Sequence, residues 1–74
     1  MIPIPKPSYL DDCIPIKGKG DRKRWRSIDG RRFYEWDSQH GEIEVYNTRG
    51  KHLGVKNARG KMIKPPVKGR TIDV

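Results

Sequence analysis

Between Phe33 and Tyr46, apolar and acidic side chains alternate on both sides of a short polar interruption, Ser38-Gln39-His40-Gly41. A period of two is the signature of a half-buried strand, so the stretch reads as a hairpin with a four-residue loop. That register pairs Asp37 with Glu42, Glu35 with Glu44 and Phe33 with Tyr46. Tyr34, Trp36, Ile43 and Val45 then share one face, and all four carboxylates share the other. A helix would also gather Asp37, His40, Gly41 and Glu44, but a mid-helix glycine and the flanking aromatic and β-branched residues oppose it. Like charges opposed across a sheet are unfavourable. Folding alone gives no reason to build the acidic face, which is therefore a candidate site.

The flanking sequence extends the sheet. Asp29-Gly30 is a tight-turn signal and predicts strands over Trp25–Ile28 and Arg31–Asp37. After the hairpin, Thr48-Arg49-Gly50-Lys51 recurs as Ala58-Arg59-Gly60-Lys61. Each predicts a three-residue hairpin loop with glycine in the left-handed conformation. Counting from those loops sets Val45 against Leu53, Ile43 against Val55 and Val55 against Ile63. It also sets Glu44 against Gly54 and Glu42 against Lys56, with Lys64 beside Gly54. Pro65-Pro66 ends the meander. Upstream, Pro3, Pro5, Pro7 and Pro15 mark residues 1–21 as an irregular arm or linker, in which Ser8 is placed to cap one helical turn. The expected fold is mostly β: a small, highly twisted antiparallel sheet, a meander of hairpins over residues 22–74, with that arm in front.

Charge then restricts the partner. The 74 residues carry a net charge of +8, with an acidic centre between two basic arms. Such a chain suits a polyanion, and nucleic acid before membrane, since no amphipathic apolar helix accompanies the charge. No apolar run approaches the ~20 residues that span a bilayer, and no signal-peptide pattern is present. The lone Cys13 excludes an internal disulfide and supplies no metal cluster. Arg22, Lys23, Arg24, Lys56, Lys64 and Lys68 are candidate RNA contacts. Trp25 and Trp36 are possible stacking surfaces, although in a small domain both also suit the core.

A carboxylate, a histidine and an arginine are the parts needed to cleave RNA without a metal. One group takes the 2′-hydroxyl proton, another protonates the departing 5′-oxygen, and a guanidinium steadies the phosphorane. Clustered carboxylates raise one another's pKa, which brings a glutamate towards a useful base. Two other readings stand beside this one. The carboxylates could merely balance the basic arms, with His40 an ordinary loop residue, or Asp37, Glu42 and Glu44 could hold a divalent ion. His52, next to Leu53, reads as structural.

The run Tyr34-Glu35-Trp36-Asp37-Ser38-Gln39-His40-Gly41-Glu42-Ile43-Glu44 resembles the cytotoxic ribonuclease domain of the ribosome-inactivating colicins and cloacin. The likeness extends back through Arg22-Lys23-Arg24-Trp25 and Gly30-Arg31, and forward through His52-Leu53-Gly54 and Lys64-Pro65 to Arg70, over residues 22–72. It implies a twisted antiparallel sheet with a short N-terminal helix. It implies cleavage of 16S ribosomal RNA in the decoding site of the 30S subunit of target bacteria, without cofactor or metal. It also implies a small acidic immunity protein as partner. By position, the resemblance makes Glu44 the general base and His40 the general acid. Asp37 orients His40, Arg70 is the transition-state arginine, and Glu42 supports. Such a module is expected as the C-terminal part of an exported or released toxin, acting in the target-cell cytoplasm with no membrane insertion of its own. The departures lie before residue 22. A non-catalytic basic RNA-binding module, or a nuclease of the same fold acting on transfer RNA or on RNA in general, remain the rival readings.

Overall fold

The computed structural model describes residues 1–74 as one six-stranded antiparallel sheet in simple sequential order. The strands are β1 (Ile14–Ile16), β2 (Arg24–Arg26), β3 (Arg32–Asp37), β4 (Glu42–Asn47), β5 (His52–Lys56) and β6 (Met62–Lys64). The one helical element is a 3₁₀ turn at Tyr9–Asp12, where the Ser8 side chain accepts from the Leu10 N–H and the Asp11 carboxylate accepts from the Ser8 N–H. The chain is therefore mostly β, a meander of hairpins, as its pattern of alternation requires.

The central hairpin has the expected register, with Asp37 opposite Glu42, Glu35 opposite Glu44 and Phe33 opposite Tyr46. Gly41 closes its loop at φ +70° and donates to the Asp37 carbonyl. The apolar face buries Tyr34, Trp36, Ile43 and Val45 around Leu10, with Ile4, Tyr9, Cys13, Trp25, Leu53 and Ala58 packed against them. The proline-rich first residues thus do not trail away from the sheet. They supply β1, which pairs with β2, and they supply Leu10. A hairpin sheet cannot cover its own apolar face, and here the arm covers it.

The register beyond the central hairpin differs from the expected one. Both loops are as predicted, with Gly50 and Gly60 at φ +82° and +92°. The side chain of Asn47 accepts from the Arg49 and Lys51 N–H groups, and that of Asn57 from Arg59 and Lys61, so the repeat begins one residue earlier than Thr48 and Ala58. Past each loop a bulge then slips the pairing by one residue. Tyr46 faces His52 as counting from the loop requires, but Val45 faces Gly54, Glu44 faces Val55 and Ile43 faces Lys56. Lys56 faces Met62, but Val55 faces Lys64 rather than Ile63. A one-residue slip exchanges the faces of everything that follows. Val55 therefore lies on the acidic face opposite Glu44, where Gly54 was expected. Lys56 moves to the apolar face, its ammonium 4.1 Å from the centre of the Tyr9 ring.

If the arm is part of the core, Leu10→Ala should cost about 2–4 kcal/mol of unfolding free energy in urea. Ile28→Ala, at a residue 76% exposed, should stay within about 0.5 kcal/mol. A Leu10→Ala effect as small as that of Ile28→Ala would show that residues 1–16 are not part of the folded unit.

Candidate active site

One face of the central hairpin presents Glu35, Asp37, Glu42 and Glu44, and all but Glu42 are buried. Buried carboxylates persist only with partners, and each of these has its own. Arg24, itself buried, gives Glu35 Oε2 two hydrogen bonds, from Nε at 3.0 Å and Nη2 at 2.8 Å. Lys64 reaches Glu42 Oε1 at 2.8 Å. Asp37 Oδ2 accepts from His40 Nδ1–H at 2.8 Å, while Oδ1 accepts from the Gln39 and His40 N–H groups, with an Arg22 Nη2 3.8 Å away. Glu44 Oε1 accepts from Arg70 Nη1 at 2.8 Å and from His52 Nε2 at 2.9 Å.

These groups open on a cleft of about 530 Å³ lined by Asp37, His40, Glu42, Glu44, Lys64 and Arg70, with Arg22, Gln39, Val55, Pro65 and Val67 completing the wall. Two atoms in it are free to react. His40 is tied at Nδ1 only, and its side chain is 58% exposed, so Nε2 is open to the cleft. Both donors to Glu44 use Oε1. Since no buried side-chain nitrogen or oxygen lacks a partner, the unengaged Oε2 is not sealed from the cleft. A carboxylate and an imidazole, each fastened through its far atom, thus line one cleft, and both are groups that exchange protons.

Burial works against ionisation of Asp37. The hydrogen bond from the His40 ring, the His40 and Gln39 N–H groups and the charge of Arg22 outweigh it and hold the carboxyl below its ordinary value. Asp37 is thus an anion facing Nδ1, which orients the ring and balances the imidazolium when it forms. The hydrogen bond from Lys64 to Glu42 raises the lysine, which keeps its charge at the cleft wall. Burial, with the charges of Glu35 and Glu44, pushes Tyr46 up, so its hydroxyl stays neutral beneath the site.

The structure brings Asp37, His40, Glu42, Glu44 and Arg70 together, with Arg22 and Lys64 at the rim. It separates the other candidates from them. Arg24 is buried against Glu35 and the Asp73 carbonyl, so its guanidinium does not face solvent. Trp25 pairs with Tyr34 on the apolar side and is half-buried there. Lys56 lies over Tyr9 and Tyr34 on that same side. Lys23 and Lys68 are exposed outside the cleft lining. Glu44 lies on the acidic face as the hairpin register requires, with its side chain only 4% exposed.

His52 belongs to the site and was missed. The Val67 N–H donates to its Nδ1 at 2.9 Å, so that nitrogen is the acceptor and the ring hydrogen sits on Nε2, aimed at Glu44. The signal was present in the sequence. Counting back from the 47–51 loop sets His52 opposite Tyr46, two residues from Glu44 and on the same face. Asp37, His40 and Glu42 bring one donor atom each within 4.8 Å of one another, a different set from the three carboxylates considered as metal ligands.

This chain is similar to known proteins. A family model described as Cytotoxic matches residues 4–73. Over 57 residues the chain is 49% identical to colicin E3 of Escherichia coli, and 47% identical to cloacin and to colicin-E6 of the same species. Each match covers 74% of this chain and 10% of the relative, so the chain spans about a tenth of the length of the curated relatives it matches.

The depressed pKa of Asp37 gives a pH test with a definite sign. A lowered carboxyl stabilises the fold fully above its unfolded value, near 3.8, and the contribution is lost as pH falls through the lower folded value. The stability difference between the native chain and Asp37→Asn should therefore be fully present above about pH 4 and shrink below it. A difference that grew on acidification below pH 4 would contradict the assigned partners.

Proposed function

The chain belongs to the Cytotoxic family, and from that premise we propose that it is the ribonuclease module of a bacterial toxin, which cleaves 16S ribosomal RNA in the decoding site and stops translation. The observation that carries this reading is the pair of open atoms in one cleft, Glu44 Oε2 and His40 Nε2, each set by a partner on its other side. Glu44 takes the proton of a ribose 2′-hydroxyl, and the freed oxygen attacks the adjacent phosphorus. The bond to the 5′-oxygen breaks as His40 delivers its Nε2 proton to it, leaving a 2′,3′-cyclic phosphate and a 5′-hydroxyl. Arg70 donates to Glu44 through one nitrogen and is half exposed, which leaves its other N–H groups for the charge on phosphorus. The nucleophile is the substrate's own 2′-hydroxyl, so the reaction selects RNA over DNA.

The reading extends to organisation and partners. Residues 22–74 carry the chemistry, while the arm of residues 1–21 supplies β1 and Leu10 to the fold that holds it. The module acts in the cytoplasm of the target cell as the C-terminal part of a released toxin and inserts no segment of its own into a membrane. The net charge of +8 supports docking on the 30S subunit and capture by a small acidic immunity protein. Arg22 and Lys64 sit at the cleft rim, where a phosphate backbone would pass. A metal-dependent reading rests on Asp37, His40 and Glu42. An ion there would have to displace Lys64 from Glu42 and break the Asp37–His40 pair.

Purified protein incubated with intact bacterial ribosomes should produce one discrete cut near the 3′ end of the small-subunit RNA, and excess chelator should not abolish it. His40→Ala and Glu44→Gln should each lower the rate about 10²–10⁴-fold. Both should remain folded, since His40 is a loop residue and glutamine can still accept from His52 and Arg70. Loss of cutting in chelator with rescue by magnesium would transfer the site to the metal reading. Intact RNA bound to active-looking protein would favour a binding module.

A further inference from the structure

Arg70 lies on a segment with no place in the main sheet, and the way that segment is fastened points to a residue outside the cleft. Thr71 bridges Lys51 in antiparallel fashion. The His52 N–H donates to the Arg70 carbonyl at 3.0 Å, and the Ile72 N–H donates to the Gly50 carbonyl at 2.8 Å. Residues 70–72 are thus a two-rung strand laid on the 50–52 segment. In such a strand Arg70 and Ile72 point one way and Thr71 the other. A slip of one residue would turn Arg70 away from Glu44 altogether.

Two features hold the register. The Ile72 carbonyl lies where a Cβ on residue 50 would be, so only glycine admits the segment in this position. Beyond it, Arg24 Nη1 donates to the Asp73 carbonyl at 2.6 Å and Lys19 Nζ to that of Val74 at 3.0 Å. Arg24 is the same residue that neutralises Glu35, the cross-strand neighbour of Glu44. We propose that Gly50 is a positioning residue for Arg70: by seating the Ile72 carbonyl it fixes the register of the 70–74 segment and so delivers the guanidinium to Glu44 Oε1. The inference rests on the catalytic role proposed above for Arg70.

Gly60 provides an internal control. It occupies the same place in the sister loop at φ +92°, so alanine is strained there as at Gly50, but its face is covered by the Tyr9 ring and not by the Arg70 segment. The test measures single-turnover cleavage on ribosomes at a temperature where circular dichroism shows every variant folded. Arg70→Ala should slow cleavage about 10²–10³-fold. Gly50→Ala, and Ile72→Pro, which removes the N–H that bonds Gly50, should each come within about threefold of that loss, and adding Arg70→Ala to either should change the rate less than about threefold. In a Gly60→Ala background Arg70→Ala should keep its full effect. If Gly50→Ala does not fold, Ile72→Pro carries the comparison. Full multiplication of the Gly50 or Ile72 effect with the Arg70 effect would overturn the proposal. Should Arg70→Ala alone leave cleavage unchanged, the proposed role of Arg70 fails and this inference with it. If Arg70→Ala is damaging while Gly50→Ala and Ile72→Pro are not, only the inference fails.

Discussion

Four carboxylates on one face of a single hairpin cannot fold without cations brought to them from elsewhere, and most of this chain is arranged to bring them. Arg22 and Arg24 arrive from the segment that becomes β2, Lys64 from β6 and Arg70 from the segment after the meander, while His52 on β5 adds a hydrogen-bond donor to Glu44. Only the Asp37–His40 pair is local. The ion pairs are therefore long-range contacts, and they tie both ends of the chain across the hairpin. Replacing one partner of a buried pair such as Arg24–Glu35 would leave an uncompensated charge, a loss of about 3–5 kcal/mol, large for a core cluster of five buried apolar residues.

The same arrangement divides the acidic face by task. Glu35 also takes both donors on one oxygen, from the buried Arg24, but that pair lies away from the cleft lining. Glu44, directly across from it, lines the cleft, and the oxygen its two donors leave free is presented there. Like residues in facing positions thus differ in what can approach them. The bulge after the 47–51 loop contributes, since it sets Val55 opposite Glu44 and gives that carboxylate an apolar neighbour at the cleft wall.

The central hairpin was legible because nothing local competes with its pattern: alternation sets the faces, and a glycine-bearing four-residue loop sets the register. The two later loops were legible for the same reason. The bulges were not, because Leu53 and Ile63 fit the alternation either way, and the slip is decided by packing that no short window contains. Asn47 and Asn57 were readable as turn residues and were passed over. Four prolines made the first residues look detachable. Leu10, a lone apolar residue after a Ser8 cap, gave no periodic sign that it completes the core. In the site, Asp37, His40, Glu42 and Glu44 follow from the hairpin alone. Arg24 could not be told from its basic neighbours, since charge composition does not reveal which arginine is buried. The meeting of Arg70 with Glu44 depends on a register set 20 residues earlier at Gly50, and no local sequence pattern reports such a contact.

The central claim is that the attacking oxygen belongs to the RNA itself, activated by protein side chains. The chemical nature of the cut ends tests it most directly. RNA fragments from treated ribosomes should carry a 2′,3′-cyclic phosphate, or the 3′-phosphate that it hydrolyses to, on one side and a 5′-hydroxyl on the other. Ends bearing a 3′-hydroxyl and a 5′-phosphate would mean that water was the nucleophile. Glu44 and His40 would then not be the acid–base pair described here.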